Sequence, residues 1–392
     1  MSWSVKFLAA AILLPLALAS VLPAESTGTV EPPLRPASPI LLGQGDASVA
    51  GAHGFEALWC NPAAFASPKR EVSLLNSSAW IYADAGRFGE LLGRAGSQNL
   101  QEFVNGEIAS GGFGFGFSSG LGIVGKGLGL GALLNVDSYL YGDTPAAAQG
   151  DIHATLAFIA GLALPVKLFG IKLTFGADFK PMVRIRAPLD QATAYEVFHS
   201  FLNGEDFLHP LSGVEALHGW GFGVDLGLLA ELGRVKIGAT AQDFLGTRFT
   251  YSQHTVGDIF SSLQESFSLP SGGDPITDHR IPMVISLGAS YQPELAGLKG
   301  WLEPVFNFEL RDLGAVLKGE RSPWSAAHFG VELGLVSALK LRAGLNGGYY
   351  CLGAGLKLAI LELNWAWFTR EMGDGPADRP NPGLAVNAAI RF

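Results

Sequence analysis

The chain has 392 residues, 48% of them hydrophobic and only 16% charged, with 52 glycines and a mean hydropathy of +0.28. A soluble domain carries about 25% charged residues, yet past the N-terminus no stretch supplies the roughly 18 uncharged apolar residues of a spanning helix. Hydrophobicity spread thinly among glycines points to many short strands, and the net charge of −9 argues against a nucleic-acid partner.

The chain opens "MSWSVKFLAAAILLPLALASVLPAES". Lys6 gives a positive start, Phe7 to Leu18 an apolar core, and Ala17-Leu18-Ala19 a small-residue cleavage site. Residues 1–19 therefore read as a signal peptide, with export expected. Residues 20–40, rich in Pro, Ser and Thr, read as a flexible lead-in. Residues 41–70 hold "LGQGDASVAGAHGFEALWCNPAAFASP", which has neither the alternation of a strand nor a continuous helical stripe. It reads as a compact plug of small residues. Gly51 and Gly54 let the backbone pack closely, Pro62 drives Asn61 out of helical geometry, and the Asn61 side chain is suited to capping the turn. Cys60 and Cys351 are the two cysteines, and both a disulfide and burial as small hydrophobes stay open.

From Glu71 to Phe392 the dominant period is two. In "IKLTFGADFKPMVRIRA", Ile171, Leu173, Phe175, Phe179, Val183 and Ile185 alternate with Lys172, Thr174, Asp178, Lys180, Arg184 and Arg186. In "GGFGFGFSSG" and "WGFGVDLGLL" glycine occupies much of the second face. Such runs exceed the five or six residues usual in a soluble sheet and suit strands with one lipid face and one crowded or wet face. About fourteen are expected, near 71–82, 108–119, 125–139, 151–164, 170–186, 217–231, 234–243, 280–291, 299–312, 326–336, 339–346, 348–358, 360–370 and 383–392. Connections after odd-numbered strands are long and those after even-numbered strands short, as in transmembrane antiparallel β-barrels. The link near Gly347 breaks that rule. The fold class expected is all-β, a membrane barrel with an N-terminal lumenal hatch and both termini on the short-turn side.

The last strand, "GLAVNAAIRF", sets Leu384, Val386, Ala388, Ile390 and Phe392 on one face. A closing Phe392 resembles the signal read by the outer-membrane insertion machinery. A plug carrying "ALWCNPAAFA" before a barrel of this kind resembles the FadL-type family of long-chain fatty-acid transporters and its PorV, TraF and spirochaetal FadL-like relatives. Their hatch motif maps onto Ala57, Leu58, Trp59, Asn61, Pro62 and Ala63. The resemblance implies an outer-membrane channel that admits hydrophobic molecules, fatty acids foremost, and is gated by the hatch. The partners implied are such solutes, outer-membrane lipids and the insertion machinery. The wider relatives imply a second reading, a non-transporting accessory barrel for assembly or secretion.

Other chemistry finds little support. The eight histidines form no i, i+4 pair and have no cysteine neighbours, so no metal or other cofactor is expected. No G-x-S-x-G elbow is present, and an enzyme is not expected. Three long connections carry helical apolar spacing: Phe88, Leu91 and Leu92; Tyr195, Phe198, Phe201 and Leu202; Val256, Ile259, Phe260, Leu263 and Phe267. Either they pack on one another as a lid, or they form a greasy external groove that captures solute.

Overall fold

The alternating runs fold as fourteen strands of one antiparallel sheet that closes on itself. The computed structural model describes residues 29–83, 100–144, 147–168, 170–206, 208–295, 297–298, 300–336, 338–373 and 377–392. The expected signal peptide, Phe88 and Leu91 lie outside them. The first six strands are β1 (Glu71–Tyr82), β2 (Phe113–Gly125), β3 (Leu128–Tyr141), β4 (Gln149–Leu168), β5 (Ile171–Asp190) and β6 (Glu215–Leu232). Next, β7 runs in two pieces, Val235–Gln242 and Thr247–Thr255, and β8 in two, Ile276–Ile281 and Val284–Tyr291. Then come β9 (Leu302–Leu310), β10 (Ala327–Leu335), β11 (Leu339–Asn346), β12 (Tyr349–Leu358), β13 (Leu361–Glu371) and β14 (Pro380–Arg391). Both pieces of β7 pair with β6 on one side and with β8 on the other, so each break interrupts a single strand. Closure comes from β14 on β1, where Val386 faces Ala79 and Asn387 faces Ser78.

Unlike faces set which side looks outward. Phe158, Leu162 and Leu164 on β4, Phe175 and Phe179 on β5, Trp220 and Phe222 on β6, and Trp365 on β13 form an exposed apolar band. Apolar surface of this extent left in water is unfavourable by about 25 cal/mol per Å², which sets this face apart from the inner one. The inner face is small, polar or charged. Asn387 Nδ2 donates to Asn76 Oδ1 at 2.8 Å, and the Arg342 guanidinium to Asn364 Oδ1 at 3.0 Å, so wall polar groups find partners within the lumen.

Two boundaries depart most from the sequence reading. Residues 100–110 are helical, and β2 starts only at Phe113, after Gly112 turns the chain at φ +117°. The connection expected from residue 244 onward instead holds the upper piece of β7. There the pattern inverts: Phe249 and Tyr251 are buried inside while Arg248 and Thr250 are exposed, so this piece lacks the outward apolar signature. The short link near Gly347 is a true hairpin. Asn346 pairs with Tyr349 across Gly347 (φ +57°) and Gly348 (φ +101°), and two left-handed residues make a turn matched to strand twist.

The lumenal hatch as candidate functional site

The hatch chain is built from short turns rather than from a packed domain. Helix α1 (Pro39–Leu42) is followed by a 3-10 turn (Gly54–Glu56), helix α2 (Ala57–Cys60) and a second 3-10 turn (Pro62–Ala66). Asn61 separates the last two. It is extended (φ −155°, ψ 110°), as the following proline requires, and its Oδ1 accepts the Ala63 N–H at 3.0 Å. Its Nδ2 donates to the Val49 carbonyl at 2.7 Å, tying two turns of the hatch together in a fully buried position. Trp59 is buried with its ring edge-on to Phe55 at 5.4 Å, and its carbonyl accepts from Gln242 Nε2 at 2.7 Å. Gly54 adopts φ +60°, and Gly51 lies so close to the Asn307 side chain that a Cβ there would collide with it. Both sequence-expected cysteines are free thiols and buried; the Gly45 N–H donates to Cys351 Sγ at 3.1 Å.

The wall is shaped to receive this backbone. A Cβ on Gly176 of β5 would meet the Pro62–Ala63 peptide, one on Gly227 of β6 the Asn61 amide oxygen, and one on Gly238 of β7 the Val49 carbonyl. The glycines on the inner face are thus places where strand and hatch backbones touch.

Charge then fastens the hatch at three places that the sequence reading did not identify. Near the long-loop end, Glu31 accepts from Arg184 at 3.2 Å and from His279 Nδ1 at 2.7 Å, with Arg186 at 3.4 Å. Residues 31–38, whose composition suggested a flexible lead-in, are largely buried because of this anchor and the Thr29–Val30 pairing with β8. Where β9 ends toward its long connection, Arg311 bonds Asp46 Oδ2 at 3.0 Å, the Asp46 carbonyl at 2.6 Å and Glu309 Oε1 at 2.8 Å. Glu309 Oε2 accepts in turn from the Ser48 and Val49 N–H groups at 2.6 and 3.0 Å. At the short-turn end, Arg391 holds Glu56 with two bonds of 2.7 and 3.1 Å. Burial alone would push the Glu31, Asp46 and Glu56 carboxyls up; the facing cations outweigh it, and all three are held below the usual carboxylate range. These groups are paired ions, which a buried site would not tolerate singly.

The loop residues occupy a different place. Helices α3 (Leu100–Ser110), α4 (Gln191–Asn203) and α5 (Val256–Ser266) meet in one apolar cluster. Phe198 and Ile259 are buried, while Phe260 and Leu263 are half-buried. The Phe201 side chain lies outside the described residues. The wall residues under these helices include Ile81, Phe115, Leu140, Ile152, Ile185 and Leu189. By register these share the face that carries Phe158 and Phe175 lower down. Phe198 sits 4.8 Å from Phe113 and 5.3 Å from Phe115. The loop helices therefore lean on the outer side of the strand tops, beyond the exposed apolar band. Phe392 extends the ladder at the opposite end, with reciprocal backbone bonds to Val72 at 3.0 and 3.2 Å.

No protein-family model matches this chain, and no curated protein does. It is similar to several solved structures. One is the Pseudomonas putida toluene transporter TodX, at 14% identity over 93% of this chain and 99% of that one, with a TM-score of 0.46. The Ralstonia pickettii toluene transporter TbuX has 13% identity over 91% and 98%, with a TM-score of 0.48. A Pseudomonas aeruginosa FadL homologue has 12% identity over 93% and 99%, with a TM-score of 0.44. These structural neighbours of the chain are FadL-family channels.

Proposed function

We propose that this protein is an outer-membrane channel for hydrophobic molecules, long-chain fatty acids first among them, closed by its N-terminal hatch. One observation carries the reading: residues 31–66 of the chain are largely buried inside the ring of strands, packed against the inner faces of the wall. Fourteen strands enclose more space than small inward residues fill, so a displaced hatch leaves a passage. Residues 1–19 serve as the export signal, and the short turns face the periplasm. Solute partitions onto the loop helices, where Phe260 and Leu263 keep part of their surface free, before it enters the barrel. The buried ion pairs favour a second reading, a permanently sealed accessory barrel, because they hold the hatch at three separate places.

The two readings separate experimentally. In planar bilayers the intact protein should be nearly silent and a variant lacking residues 42–68 should conduct. Replacing Asn61 and Pro62 with alanine removes two hydrogen bonds and a fixed φ, a cost of about one kcal/mol each. In proteoliposomes holding an acyl-binding reporter, that pair should alter fatty-acid uptake while the barrel still folds. If the deletion conducts but neither variant changes uptake of a fatty acid or of a small hydrocarbon, the hatch only seals, and the accessory reading stands.

A further inference from the structure

The outer wall beside the hatch is hollowed. Leu162, Leu164, Phe175, Ala177, Leu226 and Ala241, all on the lipid-facing side of β4 to β7, line a groove of about 720 Å³. It exists because the strands there carry small residues in a patch between large ones, and the backbone at Gly176 and Gly227 forms its floor. Its rim at the short-turn end is Lys126, in the β2–β3 turn. That turn is tied to the segment leaving the hatch: the Lys126 N–H donates to the Ser67 carbonyl at 2.8 Å, and Gly125 touches the backbone of Lys69 and Arg70. Lys126 thus stands on the rim of an apolar groove, exposed Lys69 and Arg70 lie on the segment whose backbone abuts the neighbouring Gly125, and none of the three has a carboxylate partner among the described residues.

We infer that this groove is a binding site for one anionic glycerophospholipid of the leaflet at the short-turn end, with an acyl chain along the groove and the headgroup phosphate at Lys69, Arg70 and Lys126. The chemistry matches at both ends. The groove offers an acyl chain closer contact than a flat wall does, and clustered Lys and Arg near a bilayer surface attract anionic lipid within a Debye length. A second outward hollow, of about 530 Å³, is lined by Tyr291, Phe306, Phe308, Phe329 and Tyr350 and has no cation on its lining. It serves as an internal comparison. The inference depends on the barrel lying in a bilayer and not on any transported solute.

The test is native mass spectrometry of the purified, folded barrel titrated with phosphatidylglycerol, with phosphatidylcholine and with inorganic phosphate. One phosphatidylglycerol should be retained in preference to phosphatidylcholine, and added salt should erase that preference. Replacing Lys69, Arg70 and Lys126 with glutamine should weaken phosphatidylglycerol roughly fivefold per cation removed and leave phosphatidylcholine unchanged. Ala241→Phe, which fills the groove, should weaken both lipids, whereas Val331→Phe in the second hollow should weaken neither. Equal retention of the two lipids at low salt, in the unaltered protein, overturns the site whether or not the variants fold. So does full competition by inorganic phosphate combined with indifference to Ala241→Phe, which would leave a phosphate contact without an acyl site.

Discussion

Glu56 and Arg391 show how a single pair couples hatch to barrel. Their side chains are each about 95% buried and meet through two bonds. Removing the guanidinium alone strands a buried carboxylate, a loss of about 3–5 kcal/mol, so Arg391→Ala should release the short-turn end of the hatch, and Glu56→Leu with Arg391→Leu should release it far less. The same pair sets an acid limit. Arg391 holds the Glu56 carboxyl below its unfolded value of about 4.3 despite burial. A carboxyl depressed in the folded state adds stability that is complete above the unfolded value and is lost as pH falls through the folded one. Glu31 and Asp46 are shifted the same way. Bilayer conductance of the intact protein should therefore stay low at pH 7 and pH 5 and rise only below about pH 4; an onset between 5 and 7 would contradict these assignments. Local chemistry at this scale was legible in the sequence. Asn61 caps its own turn two residues on, and Pro62 dictates the backbone before it. Glu56 and Arg391 lie 335 positions apart, and no spacing rule announces such a partner.

At the scale of strands, alternation was legible because the outward side is apolar and the inward side small, polar or charged. Glycine on the inner face was visible too, but its meaning was not: only the folded barrel shows Gly176 against Pro62–Ala63 and Gly227 against Asn61. The upper half of β7 escaped notice for the opposite reason. Above the lipid-facing band its aromatic residues turn inward, so the usual contrast is reversed. The wall glycines give an element-level expectation. Gly176→Ala or Gly227→Ala places a methyl group where hatch backbone or amide already sits, and overpacking of this kind costs roughly 1–3 kcal/mol. Because the strand is held by its neighbours on both edges, the hatch should yield first. Each variant should keep the heat-modifiable mobility of a folded barrel on gels and show raised conductance. Gly213→Ala, at a glycine with open space around it, should change neither. Loss of the folded band in Gly176→Ala, without added conductance, would mean that the wall and not the hatch gives way.

For the molecule as a whole, the number and direction of strands decide which loops a cell displays. Fourteen is even, so the start of β1 and the end of β14 lie at one end, beside the short turns; the three loop helices gather at the other. Export with the hatch preceding β1 sets the short turns in the periplasm under the proposed function. A thiol scan tests this directly, because the native Cys60 and Cys351 are buried and should contribute little background. Ser261→Cys lies on an exposed turn of α5, and Glu294→Cys lies in the β8–β9 connection, where the native carboxylate is 69% exposed. An impermeant maleimide applied to intact cells should label the first and spare the second; lysed cells should label both. Labelling of the second alone would invert the barrel in the membrane. Equal labelling of both in intact cells would place the two connections on one side, which an odd number of crossings between α5 and residue 294 forbids: β8 is the single strand that separates them.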